Sequence, residues 1–475
     1  MYVLRATSRN DCLLTRRDVG LVDDMLPDDV LLAVFDFYPN IWQTLIHVCR
    51  RWRNLVFGSP RRLNLQLFCS AETPARDTLD IWPRFPLVVR NHYARSGRVD
   101  NIVAVLERRD RVRQIDLSDI SNSDLKIVLA AMQEPFPELT YLRLLSNAKT
   151  VPILPDSFLG GSAPHLRLIS FGHIPFPGLP KLLLSAIHLV ELRVWNIPHS
   201  GYFSPETMVT ALSTMASLGE LLLEFESPRS CPDQANRRPP PPIRLALPVL
   251  TEFRFKGVCE YLEDLVAHID APRLVELTIT FFNDIVFDSP QVMQFISRTP
   301  MPKAFKTATV SFRGFAATIT FSAQIFGSDL RVNILCNGLD WQVASLEQVC
   351  TLFLPPFSIL EVLEISELLY PGTDLQGNIE NTQWLELLHP FTAIKNLYLS
   401  EKTARYIVPA LQELVGGRTT DVLPTLQNIF LEGLEPSGPV QKGIEQFVAT
   451  RQVATSHLIA VSRWNKYLLP PLIPT

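Results

Sequence analysis

The chain has 475 residues, 47% of them hydrophobic, which suffices for one large domain or a small head with a large body. Its net charge of −4 implies no general pull towards nucleic acid or an anionic membrane. No run of about eighteen or more apolar residues occurs, so no transmembrane helix is expected.

The opening stretch MYVLRATSRNDCLLTRRD has neither an apolar core region nor a small-residue cleavage site. Residues 1–24 are therefore expected to be a poorly ordered extension rather than a secretory signal. The seven cysteines (Cys12, Cys49, Cys69, Cys231, Cys259, Cys336 and Cys350) are odd in number, and none are paired as CxxC. That usage fits reduced, mostly structural thiols in an intracellular protein, cytoplasmic or nuclear. Proline is abundant (38) and glycine is not (20), so many rigid turns are expected.

From Leu26 to Pro60 the sequence LPDDVLLAVFDFYPNIWQTLIHVCRRWRNLVFGSP reads as two short amphipathic helices. In the first, Leu31, Val34, Phe35 and Tyr38 fall at i, i+3, i+4 and i+7 and make one apolar stripe. Pro27 suits the first helical turn, and Asp28 and Asp29 complement the positive end of the helix dipole. Pro39-Asn40 ends the helix, and Asn40 can cap the next. In the second helix Ile41, Leu45, Val48, Trp52 and Leu55 line one face, widened by Trp42, Ile46, Cys49 and Val56. Arg50, Arg51 and Arg53 are expected towards its C-terminal end, which favours cations. Gly58-Ser59-Pro60 stops it. So small a unit cannot hide so wide an apolar surface, and a partner is expected to cover part of it.

From about residue 110 an apolar pattern of the form LxxLxL recurs. It begins as VRQIDL at Val112 and continues at Leu139, Leu166, Leu189, Leu218, Leu250 and Leu274. It returns at Leu360, Ile394 and Leu426, with a weaker copy, TATVSF, at Thr307–Phe312. Neighbouring copies are mostly 23 to 34 residues apart. The last two apolar positions alternate with polar ones, as in a short strand with one buried face, and the first sits in the turn that feeds the strand. Stretches such as Ser123–Leu139 and Ser204–Leu218 between copies can be helical. One such unit cannot bury its own apolar face, but stacked units can, with a parallel sheet on one side. Between about 312 and 360 the spacing hides a degenerate rung or two. The segment Glu226–Pro248, with four consecutive prolines at 239–242, reads as a loop inserted between two rungs, either solvated or a ligand for an aromatic-lined groove.

No catalytic constellation emerges. The nine histidines are dispersed, and HExxH, GxSxG and GxxxxGK[ST] are all missing. His173, His188 and His268 read as structural residues, and Glu263-Asp264 as a solvated pair. The chain is expected to be no enzyme and to need no cofactor or metal.

The wording LPDDVLLAVFDFY followed by LIHVCRRWRNLV resembles the F-box, the helical module that docks on the Skp-type adaptor of cullin–RING ubiquitin ligases. The resemblance covers about residues 26–66 and departs from the usual form at PNIWQ. It implies that Leu26, Pro27, Leu31, Val34, Phe35, Leu45, Val48, Cys49 and Trp52 build or touch the adaptor interface. With the repeats, the chain is similar to fungal F-box/leucine-rich-repeat substrate receptors. The fold so implied is α/β: a helical F-box over 25–62, then an irregular leucine-rich-repeat solenoid over 63–475 with a parallel inner sheet. In that architecture LNLQL (Leu63–Leu67) is the first solenoid strand. The implied partners are the adaptor, through it a cullin–RING complex, and a protein substrate, with no nucleic acid or membrane. Two other readings stand beside it: an N-terminal helical cap on a solenoid, and a repeat scaffold without a ubiquitin-ligase role.

Outward strand positions locate the candidate substrate surface. They are Tyr141, Arg143, Glu191, Arg193, Trp195, Glu220, Glu224, Glu252, Arg254, Lys256 and Glu276, then Tyr398 and Phe430 near the C-terminus. Tyr141, Arg143, Arg193, Trp195, Arg254 and Lys256 form the part richest in hot-spot chemistry. The alternative is a solvated face with cross-strand ion pairs.

Overall fold

The structure is a computed structural model. It describes residues 26–37, 45–59, 66–71, 74–80, 84–91, 99–118, 120–146, 151–228, 244–282, 289–301, 305–323, 329–353, 359–367, 379–414, 421–433, 438–455 and 458–464. The expected N-terminal extension, the helix-boundary residues Tyr38, Asn40, Ile41 and Trp42, and most of the Pro-rich insertion lie outside the described residues. The chain divides into two compact units, Met1–Ile115 and Asp116–Thr475.

In the first unit, helix α1 (Asp28–Asp36) starts after Pro27 with Asp28 and Asp29 in its first turn, and it buries Leu31, Leu32 and Phe35. The second expected helix is not continuous. Ile46–Val48 form a turn, and Cys49 is extended and caps helix α2 (Arg50–Gly58), its Sγ accepting the Trp52 N–H at 3.4 Å. Arg50, Arg51 and Arg53 therefore stand in the first turns of α2, at its positive end, and the expected dipole stabilisation does not apply to them. Side-chain bonds hold two of them instead. Arg51 reaches Asp28 Oδ1 (Nη2 at 2.6 Å, Nε at 3.1 Å) and the Leu26 carbonyl (2.6 Å), tying the start of α1 to α2. Arg53 Nε donates to the Ile46 carbonyl at 3.0 Å. The unit continues through β1 (Leu67–Cys69), α3 (Ala75–Leu79), β2 (Leu87–Asn91) and α4 (Val99–Leu106), and its boundary falls within β3 (Val112–Leu117). Strands β1 and β2 run parallel, Leu67 opposite Leu87. The strand read at Leu63–Leu67 is thus described only from Leu67 onward.

The second unit alternates turn, strand and helix. In chain order it comprises α5 (Asn122–Ala131), β4 (Tyr141–Leu145), β5 (Leu168–Gly172), α6 (Leu179–Leu183), β6 (Glu191–Ile197), α7 (Pro205–Leu212) and β7 (Glu220–Phe225). Then come β8 (Leu245–Ala246), β9 (Glu252–Gly257), α8 (Cys259–Val266), β10 (Ile269–Asp270), β11 (Glu276–Phe281) and α9 (Pro290–Arg298). Three strands follow, β12 (Thr307–Arg313), β13 (Ala316–Ser322) and β14 (Asp329–Ile334), and then α10 (Leu339–Phe353), β15 (Val362–Glu367) and α11 (Asn381–Leu388). The unit closes with β16 (Asn396–Leu399), α12 (Glu401–Gln412), β17 (Asn428–Glu432), α13 (Pro439–Thr455) and β18 (Ala460–Trp464). Ser121, Ser204 and Ser400 cap α5, α7 and α12 by accepting a backbone N–H three residues on.

The repeat read from leucine spacing is present here as geometry. In most copies the first leucine closes a four-residue turn, as Leu189 N–H to Ala186, Leu218 to Met215 and Leu274 to Ala271. The two apolar strand positions are buried in every copy, from Leu142 and Leu144 to Ile429 and Leu431. The residue after the leucine bonds to its counterpart one repeat earlier, as Gly219 N–H to the Val190 carbonyl (2.8 Å) and Thr251 to Gly219 (2.9 Å). These bonds fix the register, so equivalent residues of successive repeats stand in rows across the strands.

The region between 312 and 360 departs from expectation. The sheet order is β4-β5-β6-β7-β9-β11-β14-β13-β12-β15-β16-β17-β18, and β13 is antiparallel to both neighbours. A tight β12–β13 turn and a return strand replace regular rungs. Strand β12 is the weaker copy read at Thr307–Phe312, β13 is buried at four consecutive positions, and β14 alternates; no leucine-spaced copy was read over β13 and β14. Glu263 is a second correction. It is buried, not solvated, and its carboxylate accepts the backbone N–H groups of Gln291 (3.1 Å) and Val292 (2.8 Å), holding the start of α9 against α8.

Candidate functional site

The candidate site residues fall on two surfaces among the described residues. The first is on the head helices. Leu31 and Phe35 are each only 2% exposed, and Phe35 meets the half-buried Trp52 at 4.8 Å between ring centroids. Leu26, Leu45 and Cys49 are also half-buried, and Pro27 is exposed. Val34 is 41% and Val48 50% exposed. Two residues that sequence reasoning passed over join them: Val30 is 39% and Phe37 83% exposed. Val30, Val34 and Phe37 are spaced i, i+4, i+7 and share one stripe of α1. VLLAVFDF carries two apolar stripes, and spacing alone did not show which would be packed inward.

The second surface is the sheet face opposite the buried pairs. Over β6, β7, β9, β11 and β14 one row is acidic throughout: Glu191, Glu220, Glu252, Glu276 and Asp329 stand opposite one another in register. Like charges so placed repel. Burial, with Glu220 and Glu276 nearby, raises the Glu252 carboxyl above its ordinary range. Arginines in the next row offset the repulsion. Arg193 makes a two-pronged contact with Glu220 (2.6 Å for both bonds) and lies 3.0 Å from Glu191. Arg254 Nε is 2.5 Å from Glu252, and Arg143 is 4.0 Å from Asp116. The Glu220 carboxylate holds the Arg193 guanidinium above its ordinary value. Lys256 sits over the Phe282 ring at 5.6 Å, Trp195 packs over Gly172 of the neighbouring strand, where an added Cβ would meet the indole at 2.6 Å, and Tyr141 is half-buried. The cross-strand ion pair expected under the solvated reading is thus present at Arg193–Glu220, while Arg254 pairs with Glu252 along its own strand.

Over β15–β18 the same face differs. Its rows read Val362, Asn396, Asn428, Ala460, then Glu364, Tyr398, Phe430, Ser462. Tyr398 and Phe430 stack at 4.3 Å with planes 9° apart, and Trp464 stands edge-on to Tyr398 at 5.2 Å. Burial and Glu364 raise the Tyr398 hydroxyl above its ordinary value.

Among the described residues no group of three or more His, Cys, Asp or Glu could hold a metal ion, and no helix is long and apolar enough to cross a membrane. Cys49, Cys69, Cys259, Cys336 and Cys350 are in no disulfide; burial pushes the Cys69 thiol up to about 11 and raises Cys336 and Cys350 as well. His173 accepts from the Asn196 amide at 3.1 Å, and His268 Nδ1 donates to the Asp264 carbonyl at 2.7 Å.

These features define a parallel-sheet repeat protein with an apolar helical stripe near its N-terminus. No protein-family model and no curated protein matches the chain. Among solved structures it is similar to the leucine-rich-repeat-containing protein LegL7 from Legionella pneumophila, at 13% identity, covering 71% of this chain and 90% of that one, with a TM-score of 0.28. So weak a likeness carries no argument; the repeat architecture rests on the register and burial described above.

Proposed function

We propose that the chain is the substrate-recognition subunit of an SCF-type cullin–RING ubiquitin ligase. The head docks the Skp-type adaptor, and the repeat sheet holds a target protein. The observation that carries this reading is the LP…VCRRW wording over α1, the turn before α2 and α2, which leaves Val30, Val34, Phe37 and Val48 outside. An apolar stripe beside a packed Leu31–Phe35–Trp52 cluster is the surface a helical partner covers. The chain itself catalyses nothing in this reading. It holds an acceptor lysine near a ubiquitin-loaded enzyme and so makes a bimolecular encounter local.

The test is capture of a purified Skp-type adaptor by the full chain and by the Val34→Asp/Val48→Asp variant. Capture by the unchanged chain and its loss in the variant are expected. Equal capture by both, or none by the unchanged chain, removes the assignment. A repeat scaffold without a ubiquitin role is the second reading, favoured by the self-paired charges of β6–β9. Capture of the adaptor with no cullin in the assembly would select it.

A further inference from the structure

We propose that the outward face of β6 and β7 takes an arginine or lysine side chain of a protein partner at Trp195 and Glu224. The site is built by a bulge. Val194 pairs with Leu223 and Ile197 with Phe225, so Trp195 and Asn196 together stand opposite the single residue Glu224. An extra residue of this kind bends the strand and re-aims a side chain. Two non-glycine residues hold left-handed backbone there, His173 at φ 59° and Asn196 at φ 50°. Such backbone is costly and persists where its surroundings impose it. Here the His173 N–H donates to the Trp195 carbonyl at 3.1 Å, and the His173 ring bonds the Asn196 amide at 3.1 Å. The bulge lays the indole over Gly172, the one residue type without a Cβ to meet it. Trp195 is half-buried, and among the described residues its indole meets no other ring or cation and its N–H makes no hydrogen bond.

The charge pattern sets the sign of the ligand. On β6, β7 and β9 this face carries Glu191, Glu220, Glu224 and Glu252 against Arg193, Arg254 and Lys256. Arg193 is held by Glu191 and Glu220, and Arg254 by Glu252. Lys256 stands in register with Glu224, yet its ammonium lies over the Phe282 ring at 5.6 Å and forms no ion pair with that carboxylate. Glu224 is therefore the acid left over on these strands. It is half-buried, and burial raises its carboxyl above the ordinary range despite Lys256 and Arg254. A carboxylate partly stripped of water and without a hydrogen-bond partner gains from a cation brought to it. An open indole face favours the same sign. An anion would instead meet Glu224 and find both arginines engaged. Internal ion pairing accounts for Arg193 and Arg254. It does not account for an unpaired Glu224 opposite a bulge that holds a tryptophan against glycine.

The inference rests on the repeat sheet as the partner-binding face and not on the adaptor. The full chain is titrated by fluorescence polarisation with labelled peptide pools in which one central position is fixed as Arg, Lys, Gln or Glu. Binding of the Arg and Lys pools above the Gln and Glu pools is expected. Glu224→Gln keeps the side-chain shape and should weaken the Arg pool about fivefold or more, as should Trp195→Ala. Glu224→Lys should reverse the preference, so that the Glu pool binds above the Arg pool. Gly172→Ala should also weaken the Arg pool, because it displaces the indole without removing either contacting group. If Trp195→Ala or Gly172→Ala fails to fold, Glu224→Gln decides. The proposal is overturned by equal binding of the Gln and Arg pools, by strongest binding of the Glu pool, by no binding of any pool, or by Arg-pool binding unchanged in Glu224→Gln. Adaptor capture should persist in Glu224→Gln, which separates failure here from failure of the ligase reading.

Discussion

The head helices and the repeat strands both carry apolar residues at regular spacing, yet they dispose of them differently. In the strands both apolar positions of each copy are buried, from Leu142 and Leu144 to Ile429 and Leu431. In the head, Leu31, Leu32 and Phe35 are buried while Val30, Val34, Phe37 and Val48 stay outside. A strand in a stack has a neighbour to pack every apolar residue against. Two short helices have not, and under the proposed reading the surplus is what the adaptor covers. The apolar strand pairs of the repeats hold the fold; Phe315, Trp341 and Val453 stand outside there too, and under the proposed reading the residues outside in the head are the ones that dock.

Substitutions can break that division. The largest effect is expected from Leu397→Asp, which puts an unpaired charge between buried strands. A loss of more than about 4 kcal/mol, read by urea unfolding, is expected. Val34→Asp, the same chemical change outside, should alter stability by less than about 0.5 kcal/mol and still abolish adaptor capture. Next comes Leu31→Ala, which empties a buried site in the head and should cost about 2–4 kcal/mol, seen as faster hydrogen exchange across 28–58 with the repeat strands unchanged.

Smaller effects sharpen the account of the charged rows. Arg193→Ala leaves Glu191 and Glu220 opposite one another, and because Arg193 is partly solvated the cost should be near 1 kcal/mol and shrink in high salt. Glu252 gives a pH signature. Its folded-state affinity for a proton exceeds its value of 4.5 when unfolded, so the folded chain protonates first as pH falls. The stability from that protonation is complete below 4.5 and is lost as pH rises through the window just above it. Glu252→Gln should flatten this part of the stability–pH curve; an unchanged curve would show that the row does not titrate as described.

Much of the repeat fold was legible in the sequence, because each rung must bury two strand residues and one turn leucine. What escaped has physical reasons. Strands β13 and β14 follow β12 by antiparallel pairing and need no leucine turn. Strand β18 is the last described strand and is exposed at most positions, so no apolar period marks it. The break before α2 was hidden because a cysteine thiol, rather than serine or aspartate, serves as its cap. Glu263 looked like a solvated helix residue because its partners are the backbone N–H groups of α9, 28 and 29 positions away. On the candidate surfaces, Arg193 and Arg254 were readable as outward residues, but the Glu220 partner of Arg193 becomes evident only from the strand register.

Hydrogen–deuterium exchange of the full chain with and without purified Skp-type adaptor tests the division most directly. The account predicts protection confined to 28–37 and 45–58, with the amides of β4–β18 unchanged. Protection in the repeat strands with none in those two helical segments would contradict it.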